Sequence, residues 1–220
     1  MNAISHSEEN YLKTVFHLGA DGKQAVATNA IARSMKTKPS SVTDMMQRLG
    51  EKGLVNYRKY RGVSLTEAGK RAALSIIRKH RLWEVFLVEK LNFSWDEVHD
   101  VAEQLEHIKS EKLVDLLDQH LGFPQYDPHG DPIPGKDGNY PSREKQLLSQ
   151  LPVNTKGICI GVKDSSASFL KYLDKNRISL GDKIHILERE DFDNSLLVKV
   201  ADTEMRVSHQ IAANLYLKIL

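Results

Sequence analysis

Pro39–Val55, PSSVTDMMQRLGEKGLV, decides how the rest of the chain is read. Val42, Met45, Met46 and Leu49 recur at helical spacing, serine lies in the capping region, and Gly53 suits a C-terminal stop. The pattern predicts a helix from Ser40 to Lys52 with one buried face, leaving Ser41, Thr43, Asp44, Gln47 and Arg48 on or near the outward one. Upstream, NAIARSM reads as a short helix through Met35 that Thr28 can cap, and KTKP makes the turn between the two. Glu8–Leu18 forms a first helix, with Tyr11, Leu12, Val15, Phe16 and Leu18 at helical period, and DGK then turns the chain. Downstream, LVNYRKYRGVSLT reads as two short strands around a turn near Arg61 and Gly62.

Two short helices, a tight turn and a basic hairpin describe a winged helix-turn-helix. Such a unit places its second helix in the DNA major groove and rests the hairpin on the adjoining backbone. Lys38, Ser40, Ser41, Thr43, Asp44, Gln47 and Arg48 are the candidate contacts from the helix, and Arg58, Lys59 and Arg61 those from the wing. Hydroxyl, amide and guanidinium groups suit base edges and phosphates. Asp44 would repel phosphate unless it accepts from a cytosine amino group, so it is expected to tune sequence choice.

Charge is segregated along the chain. Residues 1–80 hold 14 Lys/Arg against 6 Asp/Glu, residues 81–140 hold 5 against 13, and residues 141–220 hold 12 against 10. A basic module, which attracts phosphate backbones, is thus joined to an acidic one whose carboxylates repel unless cations or protons relieve them. The 220 residues, 40% hydrophobic and 27% charged, are enough for two or three modest domains. The start has no signal-peptide pattern and no run of eighteen apolar residues occurs, so a cytoplasmic protein without membrane contact is expected. The one cysteine, Cys159, lies in the apolar stretch GICIGV, which excludes an internal disulfide and a cysteine-cluster metal site.

The acidic module carries imidazoles and carboxylates at helical spacing. His99, Glu103, Glu106 and His107 form one stripe, and His80 with Glu84 forms a second pair four residues apart. Such groups are what a divalent transition metal needs. Thr66–Glu89 reads as a long helix with Ala73, Ile76, Ile77, Leu82, Phe86 and Leu87 for packing. Trp95–His107 reads as a second helix capped by Ser94, and Glu111–Leu121 as a third carrying Leu113, Leu116 and Leu117. Apolar faces on so small a helical module call for a partner copy, and a homodimer is expected. His17, His120, His129, His185 and His209 read as solvated side chains.

Taken in order, PSSVTDMMQRLGEKGLV, KYRGVSLTEAGK, RKHRLWEVFL, VHDVAEQLEH and HGDPIPG resemble the metal-dependent repressors of the diphtheria-toxin-repressor type, over residues 1 to 138. The resemblance implies a mainly α chain with a small β part: a winged helix-turn-helix over 1–66, a helical dimerisation and metal-binding domain over 67–138, a linker over 139–152 and an SH3-like β-barrel over 153–220. It implies a primary metal site of Glu103, Glu106 and His107, with Asn10 where relatives place methionine or aspartate, and a second site of His80, Glu84 and His99. Glutamate at 103, where the iron branch commonly has cysteine, favours Mn²⁺ slightly over Fe²⁺ by its hard oxygen donors. The manganese branch tends to carry a carboxylate where this chain has Lys13, so two separated sites are expected rather than a closely spaced two-manganese centre.

Beyond the Pro/Gly-rich segment Asp127–Asn139, Tyr140–Leu151 reads as a charged connection. KGICIGVK, DKIHILERE, LLVKVAD and EMRVS then read as short strands, with a helix near Ser166–Leu173, which suits a small barrel. Relatives with this domain lend a Glu and a Gln to the second site; Ser165 and Ser168 match those positions here, leaving the adjacent Asp164 as a minor candidate. The expected function is metal-dependent transcriptional repression on double-stranded operator DNA, with the metal as corepressor. A regulator that also activates is one alternative. A metallohydrolase is another, but no separate general base or nucleophile motif supports an enzyme.

Overall fold

The structure, a computed structural model, describes residues 4–58, 61–141 and 143–220. It divides into two compact units, one of residues up to Trp83 with Glu103–Asp115 and Pro134–Tyr140, the other of Glu84–Ala102, Leu116–Ile133 and Pro141–Leu220. Helices α4 (Glu67–Leu91), α5 (Val98–Leu105) and α6 (Glu111–His120) each contribute residues to both. Among the described residues, no helix is long and apolar enough to cross a membrane.

The first unit contains α1 (His6–Leu18), α2 (Thr28–Ser34), α3 (Pro39–Glu51) and the hairpin β1 (Val55–Arg58) with β2 (Gly62–Leu65). Ser5 caps α1 through a reciprocal pair of bonds with Glu8, which fixes where the helix starts. Tyr11, Leu12, Val15 and Phe16 then bury one face against Ile31 from α2, Val42, Met46 and Leu49 from α3, and Ala73, Leu74 and Ile77 from α4. Leu12 and Met46 are fully buried, and each such side chain contributes about 1.5–3 kcal/mol by leaving water.

Two helix starts differ from the sequence reading. Ala27, not Thr28, is the N-cap of α2, because paired backbone bonds between Val26 and Val63 end the extended stretch there. Lys38 is the N-cap of α3 without a side-chain bond, and Pro39 occupies the first turn, where its fixed φ favours the helix and a missing N–H leaves no bond unmade. In the wing, Gly62 has φ +90°, and a Cβ there would meet the Val26 carbonyl oxygen at 2.7 Å. Gly69 lets α4 approach equally closely, since a Cβ would stand against the Leu54 carbonyl.

The second unit holds a six-stranded antiparallel sheet in the order β3-β8-β4-β5-β6-β7. Its strands are β3 (Gln146–Leu147), β4 (Lys156–Val162), β5 (Lys183–Arg189), β6 (Leu196–Val200), β7 (Thr203–Val207) and β8 (Leu215–Ile219), with α7 (Ala167–Lys175) and α8 (His209–Ala212) between them. Cys159, Ile184, Ile186, Val198, Leu215 and Leu217 alternate inward and pack on Leu170 and Leu173 of α7. Four strands match the sequence reading; β3 and β8 add to it. Tyr140–Leu151, expected as a plain connection, contains β3 and a short 3₁₀ turn because β8 offers its edge to Gln146 and Leu147.

The expected helix from Trp95 to His107 is shorter at both ends, since α5 covers only Val98–Leu105. Trp95 is diverted, its indole N–H donating to Asp174 at 3.0 Å, and the Glu97 N–H bonds Ser94 in a turn instead of starting a capped helix. At the other end the Ile108 N–H bonds the Leu105 carbonyl in a tight turn, and Ser110 caps α6. Glu106 and His107 therefore stand on a turn and not on a helical stripe.

Candidate metal centre and nucleic-acid interface

The turn after α5 puts its two donors against α1. Glu106 is completely buried, and its two oxygens lie 2.7 and 2.8 Å from the Lys13 ammonium, with His80 Nδ1 2.6 Å from one of them. Burial alone would raise the Glu106 carboxyl, but the His80 bond and the Lys13 charge outweigh it and hold the group below the usual carboxylate range. Lys13 also reaches Glu103 at 3.5 Å. His107 is held by Glu9, whose carboxylate is 2.5 Å from Nδ1, by the stacked ring of His6 at 4.4 Å, and by Glu106, 3.9 Å from Nε2.

Helical spacing on α1 explains why these groups converge. Glu9 and Lys13 are one turn apart and share a face, and Asn10 neighbours Glu9. The Asn10 amide oxygen is buried and, among the described residues, accepts no hydrogen bond. A buried carbonyl-type oxygen left unsatisfied costs about 1–3 kcal/mol, and on a helix that also presents carboxylates it is the donor a cation would satisfy. The amide oxygen, carboxylates and imidazole of Asn10, Glu103, Glu106 and His107 are the chemical kinds of donor that a divalent ion takes. Glu9 and His6 were not singled out by sequence, because only the fold shows that they meet His107.

His80 Nδ1 lies 2.6 Å from Glu106, a carboxylate that the sequence reading placed in the other site. One turn further along α4 stands Glu84, nearly inaccessible in the second unit, where His99 Nδ1 is 3.5 Å from it and His129 Nδ1 3.8 Å. Glu84, Asp127 and His129 are all buried and offer ligand atoms within 4.8 Å of one another. His129, read from sequence as solvated, is thus corrected. Its Nε2 bonds the Trp95 carbonyl at 2.7 Å; burial opposes its charge, but Glu84 and Asp127 push its pKa up to about 9. No helical spacing links His129 to Glu84, so periodicity carried no signal; only the pairing of an acid and an imidazole in DPHGD hinted at it. Asp164 is exposed and accepts from the Ser166 N–H ahead of α7, and Ser165 and Ser168 are exposed too.

The nucleic-acid candidates lie on α3 and the wing. Lys38, Ser40, Ser41, Asp44, Gln47 and Arg48 are exposed on or just before α3, as are Arg58 and Arg61 on the hairpin. Thr43 is half-buried and its hydroxyl donates back to the Pro39 carbonyl at 3.0 Å, which draws it away from the outward face. Lys59 lies outside the described residues.

Three family models match the chain in succession. They are described as iron dependent repressor, N-terminal DNA binding domain, over residues 3–63; iron dependent repressor, metal binding and dimerisation domain, over 66–135; and FeoA domain, over 146–219. A solved manganese-dependent transcriptional repressor in complex with manganese is 34% identical with a TM-score of 0.85, over 97% of this chain and 100% of that one. The chain belongs to the iron- and manganese-dependent repressor family. Another member, ScaR with bound Zn²⁺, is 33% identical with a TM-score of 0.77, over 97% of this chain and 99% of that one. The iron-dependent repressor IdeR of Mycobacterium tuberculosis is 34% identical over 135 residues, which is 61% of this chain but only 58% of that relative. Family membership accounts for a helical DNA-binding part, a dimerisation part and a C-terminal sheet domain of the FeoA, SH3-like kind.

Proposed function

We propose that this chain is a cytoplasmic, homodimeric transcriptional repressor that binds operator DNA through α3 and the wing when a divalent metal is bound. The observation that carries the reading is the meeting of α1, an element of the DNA-binding part, with Glu106 and His107 after α5, in the dimerisation part. Asn10, Glu103, Glu106 and His107 would hold the primary ion, with Glu9 orienting His107. Glu84 and His99 would serve the second centre with His80 one turn away on α4, and Asp127 and His129 join them as candidates. Their mainly oxygen and imidazole donors suit Mn²⁺ ahead of Fe²⁺.

Bound there, the ion would supply two positive charges that neutralise the carboxylates on both sides of the joint. The residues do the rest: Asn10 and Glu9 fix the face of α1, Glu106 and His107 fix the turn, and α3 is carried with α1 through their shared core. Exposed Leu113 and Leu116 on α6 offer apolar surface for a second copy. Two such copies would present their α3 helices to successive major grooves roughly 34 Å apart. A coupling of about 1–3 kcal/mol between metal and DNA would change operator affinity roughly 5- to 150-fold.

The test is selection of bound duplexes from a random pool with Mn²⁺, with Fe²⁺ kept reduced, and with chelator. The expected outcome is a two-fold symmetric site enriched only with metal. Equal enrichment in chelator would reject the corepressor role, and no enriched sequence would reject operator recognition.

A further inference from the structure

Within the first unit, Glu106 already has a cation. Lys13, with a side chain 14% exposed, places its ammonium 2.7 and 2.8 Å from both oxygens of a carboxylate that is 0% exposed, and 3.5 Å from Glu103. Buried Lys79 also acts on Glu106 and Glu9 through space and bonds the Ile108 carbonyl at 3.3 Å. Three carboxylates, Glu9, Glu103 and Glu106, thus face two lysines.

The bridge also joins the same two elements that the primary site joins, since Lys13 is on α1 and Glu106 on the turn after α5. We propose that Lys13 is a built-in counter-cation that holds α1 to Glu106 in the metal-free protein and competes with metal for that carboxylate, so that it sets the metal threshold of the switch. The proposal rests on the primary-site reading above. Lys13 must release or share Glu106 before that carboxylate can face an ion, so removing the ammonium has two opposite effects. The metal-free protein loses its bridge and is left with a buried carboxylate served by His80, while the metal site loses its competitor. A merely structural lysine would give the first effect without the second.

The test uses the full-length protein, with Mn²⁺ alone as the probe, calorimetric titration for affinity and thermal unfolding of the metal-free form. Lys13→Gln is expected to lower the metal-free Tm and to tighten Mn²⁺ binding about tenfold, inside the range usual for coupled sites. Unchanged or weaker Mn²⁺ binding, or an undiminished metal-free Tm, would overturn the proposal. Lys13→Arg keeps charge and reach, and serves if Lys13→Gln does not fold; its Mn²⁺ affinity should be at or below that of the parent, and a higher affinity overturns the proposal. Glu106→Gln separates the two levels of argument. If it binds Mn²⁺ like the parent, the primary-site reading fails; if it loses Mn²⁺ while Lys13→Gln changes nothing, only the role of Lys13 fails.

Discussion

The carboxylates Glu106 and Glu84 are both buried, yet they are neutralised in different ways. Glu106 is bridged by the Lys13 ammonium of α1 in addition to the His80 imidazole, whereas Glu84 has two imidazoles, His99 and His129, with Asp127 close by. A lysine is a point charge that cannot ligate a metal while protonated, and an imidazole becomes a ligand once it gives up its proton. The Glu106 contact is therefore built as a joint between elements, and the Glu84 cluster as a set of donors that opens as its imidazoles give up their protons. The first should govern DNA binding, and the second should govern metal content.

Exchanging the carboxylates tests that contrast most severely. Glu106→Gln is expected to remove the metal-stimulated gain in operator affinity, a loss of roughly 5- to 150-fold, while circular dichroism and sedimentation still show a folded dimer. Retained stimulation would place the joint elsewhere. Glu84→Gln should lower the number of Mn²⁺ ions bound per protomer in equilibrium dialysis and change operator affinity only a few-fold, about 1 kcal/mol or less. An operator defect as deep as that of Glu106→Gln would erase the distinction drawn between the two centres.

How far the sequence revealed these centres follows from how each is built. The winged helix was readable because Val42, Met46 and Leu49 obey a helical period and Arg58 and Arg61 flank a turn that needs Gly62. The long α4 was readable for the same reason, and it placed His80 one turn from Glu84. Contacts between distant segments leave no period. Glu9 meets His107 across 98 residues, Lys13 meets Glu106 across 93, and His129 joins Glu84 from an irregular loop. The bond between His80 Nδ1 and Glu106 is likewise a contact between distant segments, and no helical period announced it.

Smaller effects bound the account. Arg58→Ala should weaken operator binding about equally with either centre intact and reduce the slope of log affinity against log salt by about 0.9, since one phosphate contact is lost. An unaltered slope would take the wing out of the interface. Cys159 should leave both centres untouched: it is buried in the sheet core, and burial pushes its thiol up to about 11. The native protein should resist thiol reagents at neutral pH, with Mn²⁺ affinity unaffected, and rapid labelling that releases metal would implicate a thiol in one of the centres.

The most direct test is a fluorescence anisotropy titration of the selected duplex with one protein preparation, first stripped with chelator and then saturated with Mn²⁺. At least a fivefold fall in Kd is expected on loading, consistent with about 1 kcal/mol or more of coupling. The same Kd in both states would contradict it.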